Sequence, residues 1–137
     1  MNILFYLTPK AECEHLYDDE SIREALERME RAGFTALPII RKSDGSYCGT
    51  LTEGDLLRAL KNLCNLDLRV AEAHNIMEIA RRKDHSAVSV GTDMSELMQK
   101  AIDQNFVPVV DDRSSFIGIV TRRSILRAYA ASMAVRN

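Results

Sequence analysis

"LTEGDLLR" at 51–58 and "VTRRSILR" at 120–127 are written on one frame. Each has an aliphatic residue, a threonine, three variable residues, two aliphatics and an arginine, and the two threonines stand 69 positions apart. A frame used twice at that distance in a chain of 137 residues divides it into two similar halves. Its centre changes from Glu53-Gly54-Asp55 to Arg122-Arg123-Ser124, so the same element is built twice with its charge reversed.

Working backwards, each copy is a whole structural unit. Ser21 with Glu24 reads as a capping box, and Ile22, Ala25, Leu26 and Met29 follow at helical spacing. Asp93 with Glu96 opens the same helix again, with Met94, Leu97, Met98, Ala101 and Ile102 on its apolar face. "GFTALPII" at 33–40 and "NFVPVV" at 105–110 are strands in which proline limits the start and aliphatic, mostly β-branched residues follow. Each strand turns, through Ser43–Ser46 or Asp111–Ser114, and returns on "YCGTLT" or "FIGIVT", where Gly49 and Gly118 correspond. Closing helices carry Leu56, Leu57, Leu60, Leu63 and Cys64 in one copy and Ile125, Leu126, Tyr129 and Met133 in the other. "CEHLY" and "SAVSV" are short strands leading into the copies.

The expected fold class is therefore α+β, two β-α-β-β-α repeats packed with pseudo-twofold symmetry, because a unit of roughly 50 residues buries too little apolar surface alone. Residues 1–64 form the first repeat with its N-terminal segment, 65–84 a bridge rich in helix formers and read as mostly helical, and 85–137 the second repeat with the C-terminal helix.

Composition bounds the function. A net charge of -2 provides no overall field for nucleic acid or an acidic membrane, so neither is an expected partner and any polyanion site is local. Cys13, Cys48 and Cys64 are odd in number and unpaired in spacing, which fits a reducing cytoplasm and neither a disulfide framework nor a zinc site. The opening "MNILFYLTP" lacks a basic flank and a cleavage site, so it reads as neither signal peptide nor membrane span. His15, His74 and His85 form no metal-ligand motif, and no nucleophile elbow or lysine-bearing phosphate loop occurs, so neither an enzyme nor a cofactor or metal is expected.

Read as chemistry, Thr52 and Thr121 lie at strand-to-helix junctions, beside free backbone N–H groups at the positive end of a helix dipole, a place for a phosphate or simply for a helix cap. Two cations in a first turn, Arg122 and Arg123, oppose that dipole unless an anion or acidic neighbours compensate. Their planar forks suit phosphate oxygens, and pairing with Asp111, Asp112 or a second subunit is the plainer alternative. Arg81-Arg82-Lys83 either adds to a positive pocket or is the solvated end of the bridge.

The β-α-β-β-α unit in tandem, with "LTP" at 7–9, "GFTALPII", "GTLTEGD" and "GIVTRRS", resembles a pair of CBS motifs, the Bateman module, over nearly the whole chain. "TRRSIL" and "AGFTALP" are similar to stand-alone CBS pairs of Gram-positive bacteria, some of which bind cyclic di-AMP. The resemblance implies a non-catalytic regulatory module that binds an adenine nucleotide in a cleft between the repeats, pairs as a homodimer through its helices and signals in trans to an unidentified protein. The ligand stays open among cyclic di-AMP, AMP, ADP, ATP and S-adenosylmethionine; a ligand-independent dimeric scaffold is the alternative. It implies a ribose contact at Asp55, replaced in the second copy by Ser124, and a purine site near Cys13 and Ser86, with Thr35, Ala36 and Leu37 in one copy and Phe106 and Val107 in the other. For Leu37 and Val107 core packing is the competing role, whereas Phe106 offers a flat face for stacking. The stripes Ile22/Leu26/Met29 and Leu57/Leu60/Leu63 are the expected dimer surface.

Overall fold

The structure, a computed structural model, describes residues 2–82 and 84–136, with side chains to residue 134. In chain order it contains β1 (Leu7–Pro9), β2 (Leu16–Tyr17), α1 (Ile22–Ala32), β3 (Ala36–Ile40), β4 (Tyr47–Thr52), α2 (Glu53–Asn62), α3 (Leu68–Ala73), β5 (Val88–Ser89), α4 (Met94–Asp103), β6 (Phe106–Val110), β7 (Phe116–Thr121) and α5 (Arg122–Arg136). Both copies thus have the strand, helix, hairpin, helix order read from the repeat.

The chain forms two compact units, one of residues 14–84 and one of residues 1–13 with 85–137. In the first, β2 runs parallel to β3 and β3 antiparallel to β4. In the second, β5, β6 and β7 repeat that pattern, and β1 adds a fourth strand antiparallel to β7. Even the irregularity repeats: the hairpin register shifts between Ile39 and Ile40 in one copy and between Val109 and Val110 in the other. Each unit has its own core. Leu16, Ile22, Leu37, Ile39, Leu51 and Ile76 fill one, and Ile3, Val88, Leu97, Val107, Val109 and Val120 fill the other.

Helix starts follow the caps in the sequence: the Glu24 N–H donates to Ser21 Oγ and the Glu96 N–H to Asp93 Oδ1. Gly33, at φ 72°, ends α1 in the left-handed conformation. Among the described residues of the bridge, helix covers Leu68–Ala73 and, as a 3-10 turn, Ile76–Glu78. Asn65 and Leu66, at φ 51° and 60°, interrupt any continuous helix, and the Asn75 side chain starts the second piece as a new cap.

The N-terminal segment, grouped by sequence with the first repeat, hydrogen-bonds to the second. Leu7–Pro9 pairs with Gly118–Val120, and Ile3 is buried in that unit's core. A matching lead-in, "NI" at 75–76 against "NI" at 2–3, serves the first repeat: Asn2 and Asn75 each cap a 3-10 turn through the amide two residues on. There Ile76 enters the core, and an ion pair takes the place of the extra strand. Asp84 Oδ1 accepts from the Thr50 N–H at 2.9 Å, and Arg81 Nε donates to the same oxygen at 2.7 Å.

Candidate functional site

In both repeats a strand passes directly into a helix. Thr52 Oγ1 accepts from the Asp55 N–H at 3.1 Å, and Thr121 Oγ1 accepts from the Ser124 N–H at 3.0 Å. The first helical amides are also used, Glu53 donating to the Thr35 carbonyl and Arg122 to the Asn105 carbonyl, each at 2.9 Å. Both threonines therefore cap. The Gly54 and Arg123 amides at the second helical position have no partner among the described residues.

Asp55 is 2% exposed. Its Oδ2 accepts from the Thr52 N–H at 3.1 Å, completing a capping box, while Oδ1 accepts from Arg58 Nη2 and, at 3.4 Å, from the Arg82 N–H. A ribose diol at this carboxylate has to share or displace the Arg58 and Arg82 donors. Beside it opens a cavity of about 270 Å³ lined by Asp55, Arg58, Ala59, Asn62, Leu63, Glu78, Ile79 and Ala80. In the second copy Ser124 leaves a hydroxyl pair, Thr121 Oγ1 to Ser124 Oγ at 2.8 Å.

The two arginines part company. Arg122 turns back to α4, donating from Nε to the Ala101 carbonyl at 2.8 Å and from Nη2 to the Ile102 carbonyl at 3.2 Å. The negative end of the α4 dipole thus compensates a cation that its own helix disfavours. Arg123 is exposed and its guanidinium has no partner among the described residues. Arg81 is engaged in its bond to Asp84, which holds the Arg81 proton more firmly than usual. The Arg82 side chain is exposed and unpartnered among the described residues, and Lys83 lies outside them.

Of the residues expected to hold a base, Leu37 and Val107 are 1% and 0% exposed and belong to the cores. Ala36, Cys13 and Phe106 are also buried, whereas Thr35 and Ser86 are exposed. The sheets align the first strands, Leu16 lying opposite Ile39 as Val88 lies opposite Val109, and three residues before each stand Cys13 and His85. His85 packs its ring on Phe106, with centroids 4.5 Å apart and planes 31° from parallel, and its Nε2 lies 3.0 Å from Asn105 Oδ1.

Gln104, which the sequence reading passed over, is 8% exposed. It accepts from the Ser86 N–H at 2.8 Å and donates to the carbonyls of Ser86 at 3.1 Å and Phe106 at 3.2 Å. Its signal was a polar residue four positions before Pro108, where the first copy has Phe34 before Pro38. Through register and hydrogen bonds His85, Asn105, Phe106, Thr121, Arg123 and Ser124 gather at one end of the second repeat's sheet. They combine an aromatic face, two hydroxyls and a free cation.

The CBS domain profile matches residues 9–62 and 76–131. The chain belongs to the CBS domain family. Solved structures agree with this tandem CBS architecture. A CBS domain protein from Streptococcus pneumoniae is 27% identical, with a TM-score of 0.82 over 95% of this chain and 87% of that one. CbpB in complex with c-di-AMP is 24% identical, with a TM-score of 0.86 over 98% and 87% of the two chains. Listeria monocytogenes CbpB, also in complex with c-di-AMP, is 18% identical, with a TM-score of 0.83 over 97% and 98%. The last two share the fold with this CBS pair. No curated protein matches it significantly. Among the described residues no helix is long and apolar enough to cross a membrane, and no three His, Cys, Asp or Glu side chains are grouped to hold a metal ion.

Proposed function

We propose that this CBS pair is a non-catalytic regulatory module that binds an adenine nucleotide, with cyclic di-AMP the favoured ligand, and acts as a homodimer on a partner protein in trans. The observation that carries this reading is Arg123. The Arg123 guanidinium is exposed with no protein partner among the described residues, its own amide is unpartnered, and the Thr121/Ser124 hydroxyl pair flanks it in the chain, so a phosphate meets these groups without first breaking an arginine bond. Phe106, expected to stack on the base, is buried with the His85 ring packed on it, so the half-exposed His85 ring supplies the flat face for a purine. Two proteins of this fold that bind cyclic di-AMP support the choice among adenine ligands. Signalling follows if the ligand favours one state of the surface shown to the partner.

Thermal shift with cyclic di-AMP, AMP, ADP, ATP, S-adenosylmethionine and a guanine control tests the reading. A ligand bound only by the folded state raises Tm. Cyclic di-AMP is expected to do so, and Arg123→Ala to lose the effect while keeping the parental unliganded Tm. No shift with any adenine ligand overturns the sensor reading and leaves the scaffold, which the exposed side chains of Leu57, Leu126 and Tyr129 favour.

A further inference from the structure

The two repeats place unlike chemistry at one position of one frame. The caps at Thr52 and Thr121 align Glu53, Gly54 and Asp55 with Arg122, Arg123 and Ser124, so the two acids at the first helix start become a cation and a hydroxyl at the second.

Hydrogen bonding shows what each helix start has left to offer. The Asp55 carboxylate only accepts, and both of its oxygens already do so, from the Thr52 N–H, from Arg58 and from the Arg82 N–H. Thr121 and Ser124 hold two hydroxyl hydrogens between them, and their 2.8 Å bond uses one, whichever way it points. The Ser124 N–H takes up one lone pair of Thr121 Oγ1 and no hydroxyl hydrogen. One O–H of this half-buried pair is therefore left with no acceptor among the described residues, and the next residue in the chain is the unpaired Arg123.

This contrast bears on the ribose end of a nucleotide. A free 2′,3′-diol brings two O–H donors, which a carboxylate accepts. Once the 3′-oxygen carries a phosphate, one of those donors is gone and an anion stands in its place. A carboxylate repels that anion, whereas a hydroxyl donates to its oxygens and an arginine balances its charge.

We propose that the second repeat selects nucleotides carrying a phosphate ester on the 3′-oxygen over those with a free 2′,3′-diol, and that Ser124 is the residue that decides between them. Resting on the nucleotide reading above, this narrows the ligand from adenine nucleotides in general to 3′-phosphoesters. That class takes in 3′,5′-linked dinucleotides, cyclic or linear, and adenosine 3′,5′-bisphosphate. Selection then comes from the absence of a carboxylate at 124 and not from the base, which all these ligands share.

The test is titration calorimetry on the full chain with cyclic di-AMP, adenosine 3′,5′-bisphosphate and adenosine 5′-diphosphate. The last two are isomers that differ in whether the second phosphate closes the diol, so the ratio of their affinities reports selection at the ribose and is unmoved by a general loss of binding. The parent is expected to bind the 3′,5′-bisphosphate at least about tenfold more tightly than the 5′-diphosphate. Ser124→Asp is expected to bring that ratio to one or below and to weaken cyclic di-AMP at least about tenfold, while Ser124→Thr, which keeps the hydroxyl, retains the preference. The Asp variant is expected to fold, because an acid at this place forms the capping box that Thr52 and Asp55 form in the first copy. Cyclic di-AMP binding with a parent ratio of one or below, or with a preference that survives Ser124→Asp, overturns this inference alone. A parent that binds none of the three overturns the nucleotide reading together with it.

Discussion

The Arg122 guanidinium donates to the backbone carbonyl of Ala101 across 2.8 Å, tying the start of α5 to the end of α4. Arg122→Ala removes this bond and its companion to Ile102. A stability loss of about 1–2 kcal/mol is expected, the lower part of the charge-assisted range because the residue is partly exposed. Arg123→Ala next to it breaks no protein bond and is expected to change stability by less than about 0.5 kcal/mol. Urea denaturation of both variants checks the contrast.

Asp55 and Ser124 occupy equivalent places with unequal loads. Asp55→Ala deprives the Thr52 and Arg82 amides and Arg58 of their acceptor and is expected to cost about 2–4 kcal/mol. Ser124→Ala removes one hydroxyl partner and is expected to cost about 0.5–1 kcal/mol. Denaturant midpoints at equal slope measure both, and ligand binding by the Asp55 variant needs normalising to its folded fraction.

Gln104 is both donor and acceptor to the strand beside it. Gln104→Ala leaves the Ser86 amide and two carbonyls short of a partner, with an expected loss of about 1–3 kcal/mol. Gln104→Glu keeps the acceptor but turns a carboxylate toward the Ser86 and Phe106 carbonyls, and its deficit is expected to shrink at acidic pH as the carboxyl gains a proton. Hydrogen exchange at Ser86 is the local readout, faster in both variants.

Gly118 and Gly49 have φ of 154° and 151°, and neither has room for a Cβ. At Gly118 the added atom meets the Thr8 carbonyl oxygen, part of the backbone. At Gly49 it comes within 2.6 Å of Asp84 Oδ1 and 2.8 Å of Arg81 Nη2, side chains that are able to move. Gly118→Ala is therefore expected to cost the more, about 3 kcal/mol against about 2, and to free residues 7–9 for rapid amide exchange.

Burial raises the Glu20 carboxyl above its ordinary 4.5, against the pull of the Tyr17 amide and Arg28. The native state then holds this proton more firmly than the unfolded chain does, so its contribution is complete below pH 4.5 and is lost as pH rises through the native value. Oε2, buried without a partner among the described residues, is where that burial acts. Glu20→Gln is expected to gain stability relative to the parent between pH 4.5 and about 7. Equal pH slopes for the two proteins contradict this.

Local pattern made the elements legible. The caps at Ser21 and Asp93, the prolines at 38 and 108 and the paired glycines at 49 and 118 each act within a few residues, and the double frame showed them twice. Partners chosen across the chain were not legible. Nothing near Leu7 points to Val120, and nothing near Arg122 points to the Ala101 carbonyl, because backbone groups carry no sequence signature. His85 was not singled out as a ring to stack because its contact with Phe106 spans 21 positions, which no local pattern announces. For the candidate site, residue types were readable, but which arginine was already engaged depended on where a neighbouring helix ends.

The β1–β7 ladder joins Leu7 to Val120. Residues 14–84 contain every strand of their own unit and emerge from the ribosome as one run, ready to fold during synthesis. The other unit draws on residues 1–13 and 85–137, so β1 waits, with an unpaired edge, until residues 116–121 have been translated. β1 therefore closes its sheet only after residues 14–84 have been made, and a chain stopped before residue 116 leaves it without its partner.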